Sequence, residues 1–304
     1  MNETVTPDAK RRGGRRERRD LRTRPDHAML PTLAGQLPLT EPMDQEQIER
    51  IDAASLDILE EVGVVFRDDI ALEDWRKAGA DVRGERVHLD RGLVKSLIKT
   101  IPSEITLHAR NPEKTVALGG RQSIFIPMTG APYLRDLEDV RRAPTLDDLA
   151  TFHKLAHMLP AMHSSAHHIV EPMDHPISHR HLRITHSSML YSDKTFMGMT
   201  TSGQNAEDVL DMCAILFGEE YLETHAVVTG NCNGNSPLVW DETMLSAMRA
   251  FNRRNQPVLC SPFVLGGANT PASTVPTVAQ LNAEALSALA YTQVIRPGCP
   301  AIYG

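Results

Sequence analysis

Seven histidines lie close together along the chain and are the first candidates for chemistry. Imidazole nitrogens ligate zinc and other transition metals, so the cluster could serve a metal-dependent barrel hydrolase. Three of the seven fall on a predicted strand whose side chains alternate between two faces, and the other four fall in the helix that follows. We therefore predict no metal site and keep His168, near the strand's end and close to Glu171, with His167 as the alternative if the register shifts by one. The seven histidines are His163, His167, His168, His175, His179, His181 and His186.

A second polar group follows another predicted strand, where residues 231–238 read NCNGNSPL. The side-chain amides of Asn231 and Asn233 offer both donors and acceptors, so they could orient a polar ligand. Asn, Gly, Ser and Pro are also the residues that a loop between a strand and a helix requires. From the residues alone, both interpretations stay open.

Motifs for nucleophilic or nucleotide chemistry are missing from the sequence. It contains no GxSxG, no P-loop and no GxGxxG that opens a helix after a strand. Paired carboxylates at successive strand ends, which a glycosidase would need, are also missing. The sequence therefore predicts no conventional acid–base machinery.

The elements that must position these residues repeat one unit, a short apolar strand followed by an amphipathic helix. Strands are predicted at 162–170, 195–201, 225–231, 257–263 and 299–304, with helices at 205–217, 241–254 and 278–295. A repeat of roughly 30–40 residues is the length of a βα unit. The pattern predicts an α/β fold of the (β/α)8 TIM-barrel type, with functional residues where each strand ends.

The predicted barrel is incomplete. A closed barrel of this type has eight strands, whereas about five are predicted here and the sequence stops on the last of them. We expect residues 161–304 to be the first part of a barrel whose C-terminal remainder is absent. The alternative is an open, doubly wound sheet that ends on an edge strand.

Residues 44–160 are predicted to form an α+β cap before the barrel. Asp44 is placed to begin a helix that Gly63 ends, and shorter helices are predicted at 71–78 and 91–101. Strands are predicted at 105–109, 115–118 and 123–127, and Gly119-Gly120 predicts a hairpin between the last two. Thr145 and Asp148 have the spacing of a helix-capping pair.

Residues 1–43 combine a basic tail with a Pro-rich arm. The segment 10–24 holds nine Lys or Arg and two acids, although the whole chain carries a net charge of −7. The tail has no apolar face, so we predict a disordered extension. The acidic remainder offers no second basic patch, and nucleic-acid binding is therefore not expected.

The cysteine pattern and the hydropathy favour a cytoplasmic enzyme. Cys213, Cys232, Cys260 and Cys299 are widely spaced and show no CxxC pair, which is typical of reduced thiols. The tail is too polar for a secretory signal, and no window is long and apolar enough to span a bilayer. We expect no membrane association.

Several separated blocks resemble the trimethylamine methyltransferase family, including its members without pyrrolysine such as the glycine betaine methyltransferases. The resemblance extends from about residue 43 to residue 304. Its most specific blocks are SLDILEEVGV (55–64), RDLEDVRRAPTLDDLATFHKLA (135–156), GNSPLVWDETMLSAM (234–248), QPVLCSPFVLGGANTPAS (256–273) and LNAEALSALAYTQVIRPGCPAIYG (281–304).

This resemblance implies a barrel enzyme that moves a methyl group from a methylated amine, here a quaternary one, to cobalt(I) of a separate corrinoid protein. The enzyme itself would bind no cofactor directly, because the corrinoid (cobalamin) belongs to the partner. Such a reaction needs alignment and exclusion of water more than acid–base catalysis, which is consistent with the missing motifs. Members of the family are longer than this chain, so the resemblance also implies that the fragment by itself is inactive.

A quaternary ammonium is usually held by aromatic faces and nearby carboxylates. Phe263, Tyr303 and Glu171 lie on predicted strand ends and are the candidates for this role, beside His168 and the two asparagines. A homo-oligomer is possible. The alternatives are a hydrolase that uses the histidines between His163 and His186, a non-catalytic betaine binder, or a truncated product.

Overall fold

A computed structural model describes residues 28–35, 38 and 40–304. The predicted basic tail lies outside the described residues. The protein has a mixed α/β fold, in which an N-terminal α+β region precedes a parallel sheet with its helices. In the part of the chain that the structure covers, no helix is both long enough and apolar enough to cross a membrane.

The described part of the N-terminal region, from residue 28 onward, contains short strands and four α-helices. These elements are β1 (Leu33–Ala34), α1 (Gln45–Asp57), β2 (Val64–Arg67), α2 (Asp69–Lys77), β3 (Asp81–Arg83), β4 (Arg86–His88), α3 (Arg91–Ile98), β5 (Glu104–Leu107), β6 (Val116–Gly119), β7 (Gln122–Ser123), β8 (Leu134–Arg135), β9 (Arg141–Arg142) and α4 (Leu146–Met158).

The remaining elements mostly alternate between helix and strand along the chain. They are α5 (Ile177–Tyr191), β10 (Phe196–Met197), α6 (Gly203–Phe217), α7 (Glu219–Thr224), β11 (Val228–Gly234), β12 (Val239–Asp241), α8 (Glu242–Arg253), β13 (Val258–Pro262), α9 (Thr274–Ile295) and β14 (Ala301–Tyr303).

Local signals in the sequence set the ends of the N-terminal helices. Asp44 caps α1 through a capping box with Gln47, and Thr145 caps α4 in the same way with Asp148. After α1 the chain makes one π-helical turn, Ile58–Val62, and stops at Gly63 with φ 73°. A Cβ atom at Gly63 would lie 2.7 Å from the Val87 carbonyl oxygen, so glycine is required there for space as well as for conformation.

One predicted hairpin is wrong. The chain does turn at Gly119-Gly120, but β6 pairs antiparallel with β5, and β7 pairs with β1. The loop between β5 and β6 contains a 3₁₀ turn, Pro112–Lys114, capped by Asn111. The β5–β6 pairing buries Ile105, Leu107 and Val116 in a small apolar cluster, a tertiary gain that turn residues alone cannot reveal.

The second half of the chain forms a four-stranded parallel sheet in the order β10-β11-β13-β14. A parallel bridge between Ser164 and Thr195 extends it by one more strand position. The five strand positions therefore follow the predicted order. The first shrinks from 162–170 to the bridge at Ser164, and Val170 bridges Ala131 instead of the sheet. Within residues 40–304 the sheet does not close on itself, so the structure supports the parallel α/β fold and leaves the closed barrel as a prediction.

The helices pack on one face of this sheet. A Cβ atom at Gly230 of β11 would lie 3.2 Å from the Phe251 ring of α8, and one at Gly198 would lie 2.8 Å from Val209 of α6. Helices α5, α6, α8 and α9 contact one another in sequence order. The β5–β6 hairpin partly covers the opposite face of the sheet near the amino ends of the strands, since Leu118 packs in one apolar cluster with Ile302 of β14.

Residues before and after position 160, the predicted boundary between the cap and the barrel, contact one another. Strand β12 pairs parallel with β2, in the register Val239↔Val65. Arg249 of α8 forms a buried two-pronged ion pair with Asp68, with both N–O distances at 2.7 Å. These contacts fix the loop after β11 to the N-terminal region.

Candidate functional site

The face of the sheet opposite the helices is apolar near the amino ends of the strands and polar near their carboxyl ends. Side chains alternate along a strand. Gly230 and Cys232 therefore lie on the helix face of β11, and Thr229, Asn231 and Asn233 lie on the opposite face. A cavity of about 190 Å³ lies on this face near the amino ends of the strands, between the sheet and the β5–β6 hairpin. Its lining includes Met197, Thr229, Leu259 and Ile302. The polar surface at the carboxyl ends of the strands is the candidate site.

Asn233 and Ser261 form a fixed pair at the carboxyl ends of β11 and β13. They are directly opposite in the parallel register, and the Ser261 hydroxyl donates to Oδ1 of Asn233 at 2.9 Å. The amide oxygen of Asn233 is thereby engaged, and its NH2 group is left as the ligand-binding part of the side chain.

Asn231 lies two residues before Asn233, on the same face of β11. The Thr200 hydroxyl donates to its backbone carbonyl at 2.5 Å, which fixes the segment after β10 to β11. Its side-chain oxygen is buried and has no hydrogen-bond partner among the described residues. A buried acceptor without a partner is costly, so this atom is a natural contact for a donor group of a ligand or for water.

The loop after β11 is held by a buried carboxylate that the sequence analysis missed. Glu284 of α9 is only 1% exposed. It accepts hydrogen bonds from the Ser236 hydroxyl at 2.5 Å, from the Leu238 amide at 2.9 Å and from the Gln280 amide at 2.8 Å. A charged residue inside the apolar stretch LNAEALSALA was the signal that could have identified it.

The first strand position ends in a left-handed turn at Ala166, with φ 55°. Non-glycine residues rarely adopt this conformation, which costs roughly 1–2 kcal/mol. The Ala166 carbonyl still accepts from the Met197 amide of β10 at 3.1 Å, and the chain leaves the sheet after it. His167 and His168 then contact each other through their Nδ1 atoms. The turn is also why the predicted strand 162–170 does not continue.

His168 and Glu171 lie together, as the sequence suggested for a site near this strand end. Nε2 of His168 is 3.8 Å from Oε2 of Glu171, and the other oxygen of Glu171 accepts from Arg180 at 2.8 Å. Burial lowers the pKa of His168, an effect that the Glu171 carboxylate opposes. In the sheet, β10 separates this group from Asn231 and Asn233.

His153 of α4 is a further residue that the sequence analysis missed. Its Nε2 donates to the backbone carbonyl of His167 at 2.7 Å, which leaves Nδ1 to accept from the Ser187 hydroxyl at 2.9 Å. Burial lowers the pKa of His153 and lowers that of His167 still more strongly, so both rings are neutral. His153 therefore fixes the backbone that carries the histidine pair.

The two aromatic candidates lie in different surroundings. Phe263 follows β13 directly, and its side chain is 63% exposed. Its amide still bonds the Gly234 carbonyl at 3.4 Å, so strand alternation puts its ring on the same face as Ser261. Tyr303 lies on the helix side of β14, where its hydroxyl donates to Asn282 of α9 at 3.0 Å.

The structure thus brings together Asn231, Asn233 and Phe263 at one end of the sheet, and separately His168 with Glu171. It does not bring Tyr303 to either group. The histidines of the cluster have different surroundings, since His181 bonds Asp208 at 2.8 Å and His163 bonds the Phe125 amide at 2.9 Å. Across the described ranges, no group of three or more His, Cys, Asp or Glu side chains is arranged to hold a metal ion.

Comparison with known proteins identifies relatives of one kind. The sequence profile of trimethylamine methyltransferase (MTTB) matches residues 11–304. The chain is 40% identical over 269 residues to the glycine betaine methyltransferase of Desulfitobacterium hafniense (strain Y51), covering 88% of this chain and 56% of that relative. It is 28% identical over 270 residues to the proline betaine:corrinoid methyltransferase of Eubacterium limosum, covering 84% and 54%. The chain spans about half the length of the curated relatives it matches.

Proposed function

Because this chain belongs to the trimethylamine methyltransferase family, we propose that the protein transfers a methyl group from a quaternary methylated amine to cobalt(I) of a corrinoid protein. The observation that carries the proposal is the family match over residues 11–304, together with 40% identity to a glycine betaine methyltransferase. The L-carnitine:corrinoid methyltransferase of Eubacterium limosum, 25% identical over 271 residues, is a further relative whose name includes the corrinoid.

The reaction requires alignment more than proton transfer. The bond between the methyl carbon and the nitrogen breaks, its electron pair stays on the nitrogen, and the carbon bonds to cobalt(I), which becomes methyl-cobalt(III). The other product is a neutral tertiary amine. A site that holds the ammonium in line with the cobalt and keeps water out is sufficient for this step.

The residues at the strand ends can hold such a substrate. The exposed ring of Phe263 can face a quaternary ammonium, and Glu171 offers a carboxylate whose charge Arg180 partly balances. Asn231 and Asn233 supply amide groups for the polar part of the substrate. Tyr303 would contribute only if its side chain left its hydrogen bond to Asn282.

We also propose that the parallel sheet is part of a (β/α)8 barrel and that the corrinoid protein docks over the carboxyl ends of its strands. Support comes from the sheet order and from helices that pack on one face, whereas a doubly wound sheet carries helices on both. The corrinoid belongs to the partner, so the protein itself holds no cofactor in this scheme. Four unpaired, buried cysteines support a reducing, cytoplasmic location.

The test is a methyl-transfer assay with the protein at its natural length. The protein is mixed with a reduced cobalt(I) corrinoid and one methylated amine at a time, and the absorbance of cobalt(I) is followed. We expect conversion to methyl-cobalt(III) with at least one quaternary amine. A folded protein that binds such amines but transfers no methyl group would be a binding protein, and the proposal would be wrong.

A further inference from the structure

The group Asn233, Ser261 and Phe263 differs from a simple cation site because it contains no charged side chain. Asn233 and Ser261 face each other across β11 and β13. Phe263 follows Ser261 by two residues, just after β13, and its amide bonds the Gly234 carbonyl at 3.4 Å. Two residues along a strand cover roughly 6–7 Å. A neutral donor and an aromatic ring therefore lie a short distance apart on one surface.

The orientation of the Asn233 amide decides what it can bind. The Ser261 hydroxyl donates to the amide oxygen at 2.9 Å, which engages the accepting end of the amide. The NH2 end can only donate, so it selects an acceptor in the ligand. The Phe263 ring selects a cation through its negative face.

An acceptor and a quaternary ammonium in one small molecule describe a betaine. Its carboxylate would accept from the Asn233 NH2 group, while its ammonium would lie against Phe263. A betaine has no net charge, which fits a site of neutral groups better than an arginine or a carboxylate would. A simple quaternary cation offers no acceptor, so the exposed amide would stay bonded to water and contribute nothing to its binding.

The site is held rigid, as recognition by a single amide requires. Glu284 fixes Ser236 and Leu238, which follow β11, and β12 pairs with β2 immediately afterwards. The end of β11 is therefore anchored on the helix side and on the N-terminal side. Preorganisation of this kind favours discrimination between ligands that differ in one polar group.

We propose that Asn233 is the specificity-determining residue that reads the substrate carboxylate and restricts the proposed methyl transfer to betaines. This inference rests on the proposed function and names its substrate class.

The test compares glycine betaine with tetramethylammonium, which lacks the carboxylate, as ligands of the protein at its natural length. In Asn233→Asp the NH2 group becomes an oxygen, which repels the carboxylate of betaine. We expect the dissociation constant for glycine betaine, measured by calorimetry, to rise roughly tenfold or more, and that for tetramethylammonium to stay unchanged or fall.

Two further variants keep the test sharp. Gln122→Glu is the matched control, because Gln122 is also an exposed amide whose oxygen accepts from a hydroxyl, that of Thr32 at 2.9 Å, and it belongs to the β1–β7 pair. It should bind both ligands as the unsubstituted protein does. Ser261→Ala frees the amide to rotate and should weaken betaine binding by less than Asn233→Asp.

The two proposals fail in different ways. If Asn233→Asp binds both ligands as before, or loses both equally, Asn233 does not read the carboxylate and the inference is overturned while the methyl transfer stands. If the unsubstituted, folded protein binds no quaternary amine and transfers no methyl group, the proposed function fails and the inference fails with it.

Discussion

At the scale of single residues, three buried or half-buried histidines stand out because they are neutral in the folded protein. Burial lowers the pKa of His153, His167 and His168 below its usual value, whereas in the unfolded chain these groups titrate near 6.5. Above that pH both states are neutral and stability is unaffected. As the pH falls below about 6.5, the unfolded chain takes up protons that the folded protein does not, so stability decreases.

We expect the free energy of unfolding to fall between pH 7.5 and pH 5.5, by about 1.4 kcal/mol per pH unit for each fully buried histidine at the acid end of that range. His153→Gln keeps a donor for the His167 carbonyl and removes one titrating group whose pKa burial lowers, so the pH dependence of its stability should be shallower. Urea unfolding at several pH values measures both slopes. Equal slopes for the two proteins would show that His153 is protonated equally in both states.

Glu284 provides a second prediction at this scale. Ser236 and Leu238 each donate to a separate oxygen of its carboxylate, and the glutamine of Glu284→Gln has only one accepting oxygen. We expect a loss of about 1–3 kcal/mol in the free energy of unfolding, measured by urea titration, because one donor loses its partner. Glu220→Gln, on the exposed surface of α7, is the control and should leave stability unchanged. A stability loss of similar size in both variants would contradict the role of Glu284.

At the scale of elements, the turn at Ala166 decides where the first strand position ends. Its left-handed conformation suits glycine, which relieves the steric cost but adds flexibility to the unfolded chain. Ala166→Gly should therefore stay within about 1 kcal/mol of the unsubstituted protein. Ala166→Val should lose more than about 2 kcal/mol, because a branched side chain is strained at this φ and Ala166 is fully buried. Thermal unfolding distinguishes the two, and an equal loss in both would indicate that packing, not conformation, limits the position.

At the scale of the whole molecule, the buried pair of Asp68 and Arg249 joins the N-terminal region to the helices behind the sheet. Asp68 also caps α2 by accepting from the Ala71 amide at 2.7 Å, and Arg249 donates to the Tyr291 hydroxyl at 3.2 Å. Removing one partner of such a pair leaves a buried charge uncompensated.

We expect Asp68→Asn to lower the free energy of unfolding by about 3–5 kcal/mol. The control, Asp81→Asn, removes an exposed ion pair with Arg83 and should have little effect. Calorimetry should show one transition for the unsubstituted protein, since β12 and α8 contact both regions. Two separate transitions would show that the N-terminal region and the parallel sheet unfold independently.

Sequence periodicity was sufficient for the elements around the sheet. An apolar strand followed by an amphipathic helix is a local pattern, and Asp44, Gly63 and Thr145 mark helix ends through contacts within a few residues. The helices α6, α8 and α9 and the order of the parallel strands could therefore be predicted. The family could be recognised because its blocks of residues lie in the expected order along the chain.

Only the tertiary structure decided which of the candidate residues meet. The bond between Ser261 and Asn233 joins two strands, the face of Tyr303 depends on the register of β14, and the pairing of β6 with β5 depends on an apolar cluster. Glu284 was missed because its three partners lie on a distant loop and on its own helix. Local sequence fixes the conformation of a segment, whereas contacts between distant segments depend on strand register and packing, which the sequence specifies only through the whole fold.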